Sequence, residues 1–181
     1  MINLLTEAKA QARLRGWSIP PPLWSASPVS PRLFYRTLAI AEAITWTGLI
    51  GAMILKYGFD AGGLPVLIAG SVHGLVFLTY AFTAVLVGVN QRWSIPLIVL
   101  AVATAIVPYA TVPFDIWADR TGRLNGPWRR ELSDDPRDKH WIDRTMRWFL
   151  RNPVALVGIF VVGIAGIMTV LLIVGPPGGW K

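Results

Sequence analysis

The chain is expected to be an all-α membrane protein, with four transmembrane helices in an up-down bundle and an interfacial helix before the fourth. Three observations lead there. Four apolar runs, Thr37–Leu55, Leu64–Val89, Ile95–Trp117 and Pro153–Val174, each approach the ~20 residues that cross a bilayer core. Inside lipid a backbone must satisfy its own polar groups, so runs this continuous are helical. Finally, 54% of the 181 residues are hydrophobic and the mean hydropathy is +0.51, whereas only 15% are charged and most of those lie between the runs.

The N-terminal segment, 1–35, is a Pro/Trp-rich tail. Ile2, Leu5, Ala8 and Ala12 alternate with Lys9 and Arg13 at helical spacing, which predicts a short amphipathic helix on a membrane surface. Prolines at 20–22, 28 and 31 then forbid a continuous helix and favour an extended strap. Trp17 and Trp24 suit a partner groove or the membrane interface. The first apolar run is too long, and too far from residue 1, for a secretory h-region, so it is expected to be retained.

Residues 36–118 form a three-span core. Gly58–Gly63 joins the first two runs, with Pro65 at the start of the second helix, and Asn90–Ser94 joins the second and third. Such short turns imply antiparallel neighbours. Pro108 and Pro113 predict a kink in the third span. The linker 119–152 contributes nine Lys and Arg from Arg120 onward, and Asp135-Pro136 reads as a cap and first helical residue. From there Trp141, Ile142, Met146, Trp148 and Phe149 recur at helical spacing, the interfacial helix. Trp141 and Trp148 are partner-facing candidates, and Arg144, Arg147 and Arg151 face lipid headgroups. Span four occupies 153–175, and 176–181 is a short tail.

Charge leaves orientation contested. Three spans between the basic tail and the basic loop put them on opposite faces. A cytoplasmic loop then places ten Lys and Arg inside and seven outside, which favours that orientation narrowly.

Ionisable groups in hydrocarbon are costly and need partners. Glu42 lies in span one and His73 in span two; Tyr80, Thr104 and Asp115 complete the intramembrane polar set. Counted at ~1.5 Å per residue from their shared turn, Glu42 sits ~21 Å away and His73 ~13 Å away. The count pairs Glu42 with Tyr80 and His73 with Thr104; Asp115 is expected to snorkel to the headgroups or to pair with Arg120 or Arg123. Small residues allow close approach: Gly70 and Gly74 within the bundle, and Gly158, Gly163 and Gly166 on span four, where another subunit would dock. No nucleophile elbow, zinc motif or phosphate loop is present, and cysteine is absent. The expectation is a non-enzyme without a cofactor or metal, bound to phospholipids and protein partners and not to nucleic acid.

The segments Arg36–Ile44, Val72–Tyr80 and Val107–Thr111, followed by Asp115, resemble the bacterial integral-membrane family called domain of unknown function 3817, over about residues 32–124. That resemblance implies a three-span core and marks Glu42, His73, Tyr80, Pro108 and Asp115, but implies no reaction. Longer actinobacterial chains of this kind resemble cofactor-free accessory subunits of the cytochrome bcc–oxidase respiratory supercomplex. The expected function is therefore a stabilising subunit in a cell membrane. The rival readings are a small proton-coupled transporter or relay through Glu42 and His73, and a scaffold for cell-envelope enzymes.

Overall fold

The computed structural model describes residues 29–174. The 1–28 part of the tail, with Trp17 and Trp24, and the last residues 175–181 lie outside it. The described residues form helices α1 (Pro31–Gly58), α2 (Leu64–Asn90), α3 (Ile95–Ala103), α4 (Thr111–Arg120), α5 (Trp141–Arg151) and α6 (Pro153–Val174). Short 3-10 turns occur at Thr104–Ile106 and Pro136–Lys139. Among the described residues three helices are long and apolar enough to cross a membrane: α1, α2 and α6.

Helix α1 starts where the side chain of Ser30 accepts the Leu33 amide at 3.1 Å and Pro31 supplies a preset φ. Its partner α2 runs antiparallel. Tyr35 meets Tyr80, Glu42 meets His73, and Gly70 faces Leu49, which together fix the register. That register puts the start of α2 beside the penultimate turn of α1. The connection gets there by doubling back: Asp60 and Gly62 adopt φ of 54° and 74°, and the Ala61 amide donates to the Leu55 carbonyl at 3.1 Å. Depth counting assumed that both helices rise from one level, and this fold-back breaks the assumption.

The expected third span is not one continuous helix. Helix α3 runs inward from Ser94 and gives way to the 3-10 turn at Thr104. Val107 is extended, as the residue before a proline prefers, and Tyr109 takes φ of 65°. Helix α4 then returns along α1. Its Thr111 hydroxyl donates to the Ala39 carbonyl at 2.9 Å, Asp115 reaches Arg36, and Asp119 reaches Arg32. Those partners step back toward the start of α1. Pro113 sits in the first turn of α4, where its missing N–H costs no bond. The kink predicted from two prolines is thus a complete reversal. The inward limb, Ile95–Ile106, is ~18 Å long, well short of a ~30 Å bilayer core.

Two corrections follow. The up-down bundle of four spans becomes three long helices with a hairpin wedged against α1 and α2. The start of α1, the Asn90–Ser94 turn and the 119–152 linker lie at one end, not on opposite faces. Contacts at that end make this plain: the Trp93 indole donates to the Arg123 carbonyl at 2.9 Å, and the Trp128 indole donates to Val29 at 2.8 Å.

The core sits where these elements converge. Tyr35, fully buried, has ring contacts with Tyr80, Trp93 and Phe114 at 5.6, 5.8 and 6.4 Å. Gly88 makes a close backbone approach in this core, since a Cβ there would lie 2.6 Å from Ile98 Cγ1. No small-residue motif flagged that glycine. Gly70 and Gly74 do face neighbours (Leu49 and Met168), whereas a Cβ at Gly158, Gly163 or Gly166 would meet nothing within 4 Å. The span-four glycines, expected to dock another subunit, thus lie open in this chain.

The interfacial helix predicted from Asp135 begins later. Asp135 does accept the Arg137 amide at 2.9 Å, but only the four-residue 3-10 turn follows, and His140 is extended before α5 starts at Trp141. Helix α6 stands largely apart. Across its 18-residue apolar window no residue is buried, and it touches α2 chiefly through Phe160 on Phe82, with ring centroids 4.7 Å apart.

Candidate functional site

Two polar clusters stand out, one deep between α1 and α2 and one at the linker end. The deep one centres on Glu42, which is fully buried. Its Oε2 lies 3.4 Å from the Thr45 hydroxyl and 3.6 Å from His73 Nδ1, and Thr45 Oγ1 and His73 Nδ1 are 3.1 Å apart. Trp46 covers the His73 ring at 4.4 Å and donates its indole N–H to the Ala105 carbonyl at the hairpin turn. Among the described residues Glu42 Oε1 has no hydrogen-bond partner. An acid and an imidazole at this separation, bridged by a hydroxyl, can hold a proton between them.

This arrangement corrects the expected pairings. Glu42 does not meet Tyr80, and His73 does not meet Thr104. Instead the Tyr80 hydroxyl lies 2.6 Å from that of Tyr35 and 3.1 Å from Thr104, and donates to the Ala101 carbonyl at 3.2 Å. Asp115 departs as well. It accepts from Arg36 at 2.8 Å, and Arg36 together with Arg32 also holds Asp119. The sequence expectation of Arg120 or Arg123 as partner for Asp115 missed this ladder. The signal was present in the spacing Arg32–Arg36 against Asp115–Asp119, four residues on each helix.

The second cluster surrounds Asp138. Ser133 donates both its amide and its hydroxyl to the Asp138 carboxylate at 2.7 Å, and Arg92, Arg129 and Arg147 converge on the same group. Arg129 also bonds the carbonyls of Val89 and Asn90, which ties the linker to the end of α2. The Ser133 donors first, then Arg92 and Arg147, hold the Asp138 carboxyl far below its ordinary range; Arg137 does the same for Asp135. Arg147, expected at lipid headgroups, is therefore buried in this hub, while Arg144 and Arg151 are exposed. Trp141 and Trp148 point outward, 69% and 53% exposed, one helical face of α5 with Arg144. Three of the nine linker cations, Arg129, Arg137 and Arg147, are thus paired with linker carboxylates rather than free.

A family model described as Domain of unknown function (DUF3817) matches residues 33–120. Residues 33–120 belong to that family. The matched stretch is α1, α2 and the hairpin, so the DUF3817 core closes where α4 ends on Arg32 and Arg36. The resemblance read from the sequence holds, with a reversal in place of its third span. A Streptomyces coelicolor protein named "Putative membrane protein SCO5905" is 42% identical over 94 residues, covering 51% of this chain. The match spans 11% of that protein's length. No solved structure matches. With its three apolar helices, the chain is a membrane protein built on a DUF3817 core; the linker and α6 lie beyond the matched residues.

Proposed function

We propose that the chain is a non-catalytic subunit that stabilises a larger assembly in the cell membrane, with its DUF3817 core as anchor and α6 as docking helix. One observation carries this reading. Helix α6 is apolar all round, buries nothing across its apolar window, and leaves Gly158, Gly163 and Gly166 open. In lipid, where apolar contact alone does not favour association, small open residues are what let another helix approach.

The test uses those glycines. The Cβ atoms added by Gly158→Leu, Gly163→Leu and Gly166→Leu meet nothing within 4 Å among the described residues, so the purified protein should keep its melting temperature. Copurification of partners in mild detergent should fall severalfold. Unchanged copurification would remove α6 from the interface. The proteins that come with the wild-type chain decide its host. The cytochrome bcc–oxidase supercomplex is the first to probe, and cell-envelope enzymes would mark a scaffold instead.

We place the linker end in the cytoplasm. Arg32, Arg36, Arg92 and all nine linker cations gather there, against Lys56 at the other end. The hairpin reverses inside the membrane, and α5 lies at the interface with Trp141, Arg144 and Trp148 outward.

A proton relay is a second reading, favoured by the unpartnered Oε1 of Glu42 beside His73. Glu42→Gln keeps a hydrogen-bonding group and cannot exchange a proton in this range. On the structural reading, assembly and host activity stay near wild type in this variant. Loss of proton-coupled activity with assembly intact would establish the relay.

A further inference from the structure

A lipid site lies at the edge of the linker end. Phe34 of α1, Phe82 and Leu86 of α2, Phe149 of α5, and Leu156 and Phe160 of α6 enclose a cavity of about 200 Å³. Its lining is apolar apart from two threonines and Arg130 at the mouth. Arg151 is beside it, donating its Nε–H to the Arg130 carbonyl at 2.9 Å. Among the described residues neither guanidinium has a carboxylate within salt-bridge distance, although six other arginines do.

The start of α6 opens at the same place. The Asn152 side chain donates to the Trp148 carbonyl rather than capping the helix, and Pro153 has no amide to offer. The first-turn amides of Val154 and Ala155 therefore have no intrahelical acceptor and present the positive end of a 22-residue helix. Two unpaired arginines and a helix N-terminus meet at the mouth of an apolar groove that descends beside a membrane-crossing helix.

We propose that this groove holds one acyl chain of an anionic phospholipid, with the lipid phosphate bound by Arg130, Arg151 and the start of α6. Charge and position select the ligand. A zwitterionic lipid would bring its own cation to two arginines. A free phosphate would leave the apolar cavity without an occupant. The site also explains how α6, so sparsely packed on α2, keeps its place: the lipid fills the gap between Phe82, Phe149 and Leu156.

The full chain is purified, delipidated, and incubated with equal amounts of phosphatidylglycerol and phosphatidylcholine of matched chains. Native mass spectrometry then counts what stays bound. Wild type should retain the anionic lipid at least about tenfold over the zwitterionic one, within the roughly 30-fold that two interfacial cations at ~1 kcal/mol each can contribute. R130Q with R151Q should bring the ratio to about one, while K56Q, which removes a cation at the far end of α1 from the groove, should leave it unchanged. Circular dichroism and elution volume confirm that each variant is folded. Leu86→Trp, which fills the cavity, should reduce retention of both lipids. Millimolar inorganic phosphate should not displace the lipid. Displacement by phosphate would make this a free-anion site. A wild-type ratio near one, or a tenfold ratio that survives R130Q with R151Q, would remove the lipid.

Discussion

An impermeant thiol reagent should modify cysteines at positions 30 and 144 from the same side of the membrane, and a cysteine at position 59 from the other. The chain has no native cysteine, so each single substitution reports one site. Phe59 is 75% exposed in the α1–α2 connection, and Ser30 and Arg144 are exposed at the linker end. On right-side-out cells, position 59 should label almost completely and positions 30 and 144 almost not at all; inverted vesicles should reverse the pattern. The contrast comes from parity. Two crossings return the chain to its starting face, and the hairpin, whose inward limb is only ~18 Å long, adds none. Labelling of position 144 together with position 59 would mean that residues 95–120 cross. Labelling of positions 30 and 144 on intact cells, with 59 protected, would keep the hairpin and invert the orientation.

How far the sequence carried the fold can be seen at the two prolines. Apolar length alone marked α1, α2 and α6 correctly, because hydrophobic runs of that length have few alternatives. The run from Ile95 to Trp117 was equally apolar and yet reversed. Its reversal depends on Thr111, Asp115 and Asp119 finding Ala39, Arg36 and Arg32 on a helix some eighty residues earlier. A hydropathy window cannot see such pairing. The site residues divide in the same way. Burial cost singled out Glu42, His73, Tyr80 and Asp115, but their partners depended on the register of α1 against α2. The fold-back at Asp60–Gly62 shifts that register, and nothing in the apolar pattern encodes it. Gly88 and Arg129 escaped notice because their importance is wholly tertiary: one admits Ile98, the other ties the linker to Val89 and Asn90.

The ladder that docks the hairpin should be the most sensitive polar feature of the core. Asp115 is buried with its carboxylate 4% exposed, and Arg36 is its one cation at 2.8 Å. Removing one member of such a pair leaves an uncompensated charge, which costs more than the pair itself contributes. Arg36→Met should therefore destabilise the core by about 3 kcal/mol, the low end for buried pairs because Arg36 is 34% exposed. Arg36 also holds Asp119 at 2.7 Å, so part of that loss falls on a carboxylate that Arg32 can still neutralise. Asp115→Asn alone should cost less, since the amide still accepts from the guanidinium. The double variant, Arg36→Met with Asp115→Leu, should recover much of the loss, because two apolar groups replace two charges at the lipid boundary. Unfolding in mild detergent with a graded denaturant, followed by intrinsic tryptophan fluorescence, to which Trp93 packed on Tyr35 and Phe114 contributes, reads all three. If the single and double variants fall equally, the ion pair does not dock the hairpin, and α4 is held by Phe114 and the Thr111–Ala39 bond alone.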